Sequence, residues 1–325
     1  MKESNRNKII SLIENKNIRE ENIERVLYEA EVIPSSKEWY NFIEQLLLWF
    51  GGLALAFSLM FFVAYNWTEF GRFGKFALVE GLMVLTIGLY YYLGGEKLSA
   101  KVTLMVASIL LGVLLALVGQ TYQTGADPWQ LFFYSALLMT PWAVVGRFSA
   151  IWLVWILLIN TSLWLYMDTF RGVFGLSLYS ESSMLWIFFI FNSLAWFVWE
   201  YASKKYNWLN DNWAVRLLGF VSMLSVTTLM LNLIWEDVSI LALPVWIAWL
   251  VVIYWIYRVV SVDLFMLAMG MFSFSIVAVS SLIDVISWQH ELLSILSIGV
   301  VIIGLGAGFA SWLKNIQKEA EDAKQ

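Results

Sequence analysis

The side chains able to do chemistry are few in kind. The chain has no cysteine and a single histidine, His290. Thiolate nucleophiles, sulfur-ligated metals and disulfides are therefore excluded. A histidine-built metal site or a Ser-His-Asp triad cannot be assembled within one subunit either. Carboxylates, amides and hydroxyls remain. Glu80 is the one carboxylate that falls clearly inside an apolar run. In hydrocarbon such a group serves a proton or cation, unless it snorkels to the interface or pairs with Arg72 or Lys75. Asn160 and Asn192 lie near the middle of two other apolar runs, where an amide either bridges helices or contacts a ligand. No carboxylates are paired at helical spacing within an apolar run, so no catalytic residue, metal ligand or cofactor is expected.

Two further segments are rich in neutral polar groups. Gln120, Tyr122 and Gln123 precede Gly125, Asp127 and Trp129 in a stretch whose one charge is Asp127. Asn66 and Trp67 follow the first apolar run. Amides and hydroxyls beside aromatic rings suit a sugar headgroup or another neutral polar ligand. The same residues also read as plain turn chemistry, with Asp127 or Asn66 capping a helix.

The elements that must position these groups are transmembrane helices. Sixty per cent of the 325 residues are apolar and 14% are charged, and the mean hydropathy is +0.72. A soluble domain keeps about a quarter of its residues charged, so the solvent is lipid. Nineteen Trp, fourteen Tyr and twenty-two Phe fit a chain with many membrane boundaries. The net charge of −5 gives no footing for nucleic acid.

With about 20 apolar residues needed per crossing, the pattern predicts an all-α bundle of about ten spans. They fall near 44–65, 74–93, 100–120, 129–146, 148–167, 183–201, 213–234, 239–257, 260–284 and 291–313. Arg147 marks the turn between the fourth and fifth. Residues 1–40 read as a short amphipathic helical hairpin ending at Pro34, with Glu21 and Arg25 placed to pair, and 314–325 as a polar tail. Placing both ends in the cytoplasm puts seventeen Lys and Arg inside. Three, Arg72, Lys75 and Arg171, are then outside, as the positive-inside bias demands. The outer ends then carry an excess of acidic residues, either a cation-attracting face or simply cheap placement. Pro141 and Pro244 are expected to kink their helices, and pairs such as Gly81/Gly88 and Gly304/Gly308 to allow close backbone packing.

Ala64-Tyr65-Asn66-Trp67, Gly74-Lys75-Phe76-Ala77 and Gly119-Gln120-Thr121-Tyr122-Gln123-Thr124-Gly125-Ala126-Asp127, with Leu131-Phe132 after them, carry a likeness. Over about residues 1–145 the chain resembles the bacterial predicted membrane proteins grouped as domain of unknown function 2157. That resemblance implies a bacterial inner-membrane protein and brings no activity, cofactor or site residue with it. Ten packed helices with short loops point first to a transporter or permease-like protein for a small polar molecule, cation or lipid-linked headgroup. An envelope sensor or assembly scaffold, binding a ligand or partner outside and signalling through the N-terminal hairpin, is the second reading, and an intramembrane enzyme the third. The bilayer is the one partner the composition names, and oligomeric state is not legible.

Overall fold

The computed structural model describes residues 9, 12–13, 15, 18–29, 33–65, 71–170, 181–236, 240–286 and 291–322. Asn66, Trp67 and His290 lie outside them. Among the described residues there is no strand, and the expected all-α, multi-span architecture is borne out. Among the described residues, nine helices are long and apolar enough to cross a membrane. Pro128–Gly146 is a further, uncharged helix of 19 residues. The chain divides into two compact units, Met1–Leu117 with Glu321–Gln325, and Val118–Ala320.

In the first unit, a 3-10 turn (Glu20–Asn22) leads into helix α1 (Ile23–Glu29). Because the α-helix starts only at Ile23, Glu21 does not meet Arg25. Arg25 instead donates to Glu29 at 2.8 Å, and Glu21 pairs with Arg19 at 3.6 Å. Helix α2 (Ser36–Tyr65) begins eight residues before the expected span. Its start is a capping box: the Ser35 amide donates to Glu38 Oε2 at 2.8 Å, and the Glu38 amide donates to Ser35 Oγ at 3.3 Å. These reciprocal bonds satisfy two of the amides a helix start leaves unpaired. Helix α3 (Arg72–Leu93) and helix α4 (Leu98–Tyr122) follow, and Val79 and Leu117 are buried together among Phe76, Val113 and Leu114. Gly52 of α2 sits so near α4 that a Cβ there would be 2.7 Å from Val102 Cγ1.

In the second unit, α5 (Pro128–Gly146) and α6 (Ser149–Thr169) form a tight helical hairpin. Arg147 turns the chain in the left-handed region at φ 43 and ψ 53, as the shortness of the connection requires. Then come α7 (Glu181–Ser203), α8 (Asn212–Glu236), α9 (Ala242–Tyr254), α10 (Leu264–Val285) and α11 (Glu291–Asp322). Helix α9 runs on through a π-helical turn, Trp255–Val260. Pro244 falls in the first turn of α9, where a missing N–H costs no intrahelical bond, so it does not act as an interior kink. Pro141 is inside α5. Cβ atoms at Gly81, Gly88, Gly304 and Gly308 would meet nothing within 4 Å. Among the described residues the close approaches expected there are not made, and Gly52 and Gly219 make them instead.

The core of this unit is built on α7, α8, α9 and α10 and is rich in tryptophan. Trp196, Trp199, Trp246 and Trp249 are all buried. An indole N–H in an apolar interior needs an acceptor, and each of the four has one. Trp196 donates to Tyr257 Oη at 3.0 Å and Trp199 to the Leu209 carbonyl at 3.2 Å. Trp246 donates to Ser273 Oγ at 2.9 Å and Trp249 to Ser222 Oγ at 3.1 Å. Ser222 in turn shares a 2.6 Å hydrogen bond with Ser193, and Ser273 one of 2.6 Å with Thr227. Polar side chains thus staple α7 to α8 and α8 to α10, the role hydroxyls commonly play between membrane helices.

Candidate functional site

The described sequence-chosen residues are divided between the two units. In the first unit, Glu80 is exposed on α3 and has no ion pair among the described residues. In the second, Gln120, Tyr122 and Gln123 are exposed where α4 ends, and Asp127 is half-buried. Gln123 has φ 46 and Gly125 φ 65, the left-handed residues of a tight turn. Asp127 stands at the N-cap position of α5, yet its side chain accepts no capping bond. Trp129 packs edge-on against Tyr166 at 5.1 Å, and its carbonyl accepts from Ser162 Oγ at 3.0 Å.

Asn160 and Asn192 do meet. Asn160 Nδ2 donates to Asn192 Oδ1 at 3.1 Å, and Asn192 Nδ2 returns a bond to Asn160 Oδ1 at 2.8 Å. Each amide also donates to the carbonyl four residues earlier, of Ile156 and Phe188. With both N–H groups and the oxygen of each amide engaged, the pair joins α6 to α7 and has little left to offer a ligand.

A different set of polar groups lines a cavity of about 380 Å³ at one end of this unit. Three stretches of backbone place them: the last turn of α7, the loop and first turn of α8, and the junction from the π-turn into α10. Glu200 lies on the same face of α7 as Trp196 and Asn192, four and eight residues before it. From Glu200 a hydrogen-bonded line runs inward. Tyr257 Oη donates to Glu200 Oε2 at 3.0 Å and accepts from the Trp196 indole. An indole N–H donates only, so this line orients the carboxylate and cannot relay a proton past Trp196.

The π-turn is what brings Tyr257 and Asp263 to the same cavity. The Ser261 amide reaches back to the Ile256 carbonyl at 2.9 Å, five residues instead of four, and such wide turns recur at functional sites. Asp263 then caps α10, accepting from the amides of Phe265 at 2.9 Å and Met266 at 3.2 Å. Its other oxygen takes the Arg216 guanidinium at 3.0 Å, which also lies 5.3 Å over the Phe265 ring. Asp263 is therefore committed to structure. Replacing it by alanine is expected to cost about 1–2 kcal/mol, chiefly the cap, since the half-exposed Arg216 makes the ion pair worth little. Asp263→Asn, which keeps a capping oxygen, is expected to cost less than half as much in denaturant titration of the purified protein. Equal losses would assign the effect to the ion pair.

Other lining groups are uncommitted. Lys204, Asn207, Asn210 and Asn212 make no side-chain hydrogen bond or ion pair among the described residues, and all four are exposed at the mouth. Glu200 has one oxygen beyond the bond from Tyr257. An ammonium, a carboxylate edge and three amides around one concavity can hold a small polar or zwitterionic molecule by hydrogen bonds of both polarities. The loop that carries the amides is pinned from behind. Ser149 Oγ bonds Asp211 at 2.6 Å and the Trp208 carbonyl at 3.1 Å.

None of these cavity residues was singled out for ligand chemistry in the sequence. Glu200 and Asp263 fall at the ends of predicted spans, where a lone carboxylate carries no sign of a site. Lys204 and Arg216 entered only the charge count. The available signal was the density of three asparagines within 207–212, in a loop whose neighbours are basic.

A bundle of long apolar helices with a polar cavity at one end defines a multi-pass membrane protein, with the lipid bilayer as its environment. Residues 11–152 match the family model described as predicted membrane protein (DUF2157), so the likeness seen in the sequence is borne out over nearly the same residues. The cavity lies wholly outside the matched residues. No curated protein and no solved structure matches the chain.

Proposed function

We propose that the chain is a permease-like protein of the bacterial cytoplasmic membrane that takes a small polar solute into the Glu200–Lys204–Asn207 cavity from the cytoplasmic side. The observation that carries this reading is the cavity, whose uncommitted groups of both polarities sit at the bundle end. The placement rests on charge. Arg147, Lys204, Lys205, Arg216, Arg258, Lys314 and Lys318 gather at the helix ends and connections on this side, as cytoplasmic ends do. Deeper in, Ser193, Ser222 and the Asn160–Asn192 pair form a polar layer between α6, α7 and α8. Alternating access would have to open this layer toward the opposite side.

Because the chain lacks cysteine, the test is direct. Single cysteines at Asn207 and Asn192 are read with a membrane-impermeant maleimide applied to right-side-out and inverted vesicles. Asn207→Cys is expected to label from the cytoplasmic side alone, and Asn192→Cys from both. If Asn192→Cys labels from neither side, α6, α7 and α8 form a closed bundle and transport is overturned in favour of a sensor that binds its ligand at the surface.

A further inference from the structure

The polar cavity holds two charges of opposite sign that do not neutralise each other. Glu200 and Lys204 stand four residues apart with the acid on the N-terminal side, the order in which a helix best joins such a pair. The pair is not made. α7 ends at Ser203, one residue short of Lys204, and Glu200 turns instead to the Tyr257 hydroxyl, which donates to Oε2 at 3.0 Å. Tyr257 is buried and held in turn by the Trp196 indole. The carboxylate is thus held inward, half-buried, while Lys204 stays exposed at the mouth. The other charges nearby are engaged. Asp263 caps α10 and pairs with Arg216 at 3.0 Å, Asp211 accepts from Ser149 at 2.6 Å, and Arg258 pairs with Glu319. Lys205 does not line the cavity and lies 5.4 Å from the centre of the Tyr206 ring. What remains is one carboxylate oxygen inside and one ammonium at the mouth, among the amides of Asn207, Asn210 and Asn212.

A solute that enters displaces water from both charges, and a charge left dry without a counter-charge is costly. A neutral sugar would leave both uncompensated, and a simple cation or anion would leave one. A zwitterion compensates both. At about 380 Å³ the cavity is near the small end of ligand sites, which run from ~300 to ~1,000 Å³. The apolar part of its lining, Leu209, Val215 and Val262, suits a short methylene stem. Lys204 is a single positive charge, which a carboxylate matches better than a phosphate monoester of about −1.5 to −2 at neutral pH. We propose that the cavity binds a small amino acid, its ammonium inward on Glu200 and its carboxylate at the mouth with Lys204 and the asparagine amides. This rests on the reading of the cavity as the solute site.

Val262 lines the cavity, is exposed and supplies none of these polar groups, so Val262→Cys serves as the reporter. The full chain is placed in nanodiscs of phosphatidylcholine and phosphatidylglycerol, open to both faces, and the rate of maleimide labelling is read. Glycine, β-alanine or 4-aminobutyrate is then added, and at least one of them is expected to slow the reaction severalfold. Glycinamide, N-acetylglycine and glycerol, which lack one charge or both, are expected to leave it unchanged. Glu200→Gln keeps an acceptor for Tyr257. It and Lys204→Gln are each expected to raise the half-protecting concentration roughly tenfold, equivalent to about 1.4 kcal/mol, and Lys204→Arg to preserve it. Should Glu200→Gln alter the solute-free rate, the exposed Lys204 variants carry the test. Protection by none of the three amino acids overturns the proposal, as does equal protection by the singly charged analogues or by glycerol. So does protection by phosphatidylethanolamine added to the disc, which would make the ligand a lipid headgroup. Asn192→Cys labelling, read with no solute present, decides the permease reading separately, so either can fail while the other stands.

Discussion

Replacing Trp196 by alanine is expected to destabilise the bundle by about 2–4 kcal/mol, the largest loss from any single truncation among the described residues. Trp196 is fully buried and the bulkiest such side chain among the described residues. In a soluble core, Trp→Ala costs about 3–5 kcal/mol from lost transfer energy and the cavity together. Here the transfer part shrinks, since the unfolded helix faces hydrocarbon as well, and the cavity with its lost dispersion contacts remains. The indole also donates to Tyr257 at 3.0 Å, so Trp196→Phe separates the two contributions. It keeps most of the volume and removes one donor, for about 1 kcal/mol. Denaturant titration of the purified protein in micelles, followed by circular dichroism, reads both variants. If alanine costs no more than phenylalanine, the surrounding helices collapse into the space and the packing argument fails.

The position of Trp196 shows where sequence reasoning ends. Apolar runs located the helices, and most ends fell within three residues, because hydrocarbon thickness fixes a length that composition alone reveals. The start of α2 was missed by eight residues. Its first two turns, Ser36 to Ile43, lie in a charged stretch and are set by the Ser35–Glu38 capping box, a local hydrogen-bond pattern invisible to hydropathy. Aromatic content was read as membrane-boundary residues. Trp196, Trp199, Trp246 and Trp249 are core residues instead, each with an acceptor on a neighbouring element that no one-dimensional pattern pairs with it.

The candidate site was the least legible part. Asn160 and Asn192 were both chosen, and both are interior, but only the three-dimensional arrangement reveals that they satisfy each other. Glu200, Asn207 and Asp263 come from three separate stretches up to 63 residues apart, and a π-turn re-aims one of them. Helical periodicity assumes 3.6 residues per turn, so a wide turn at Trp255–Val260 shifts every face prediction that follows it. Conversely, the glycine pairs read as close-packing seams face open space at Gly304 and Gly308. Spacing identifies a small-residue face but not what stands opposite it.

A tight approach in the second unit, between α8 and α10 at Gly219, supports a second large effect. A side chain at Gly219 would run into the tip of Met266, with Met266 Sδ 3.2 Å and Met269 Cε 3.8 Å from the new Cβ. Met266 is fully buried, so its flexible end has nowhere to swing. Gly219→Leu is therefore expected to cost about 2–3 kcal/mol through overpacking. Met266→Ala alone opens a cavity at the same spot and is expected to cost about 2 kcal/mol, the low end for buried truncations. Combined, the leucine occupies the volume the methionine leaves. The double variant should then be more stable than the sum of the two losses allows by about 1–3 kcal/mol, in the same denaturant titration. The rescue should also restore Asn207→Cys labelling wherever Gly219→Leu has lowered it, because α8 and α10 carry two walls of the polar cavity. Strict additivity would mean that α8 and α10 do not meet at Gly219, and the packing that positions Asp263 beside Glu200 would then have to be redrawn.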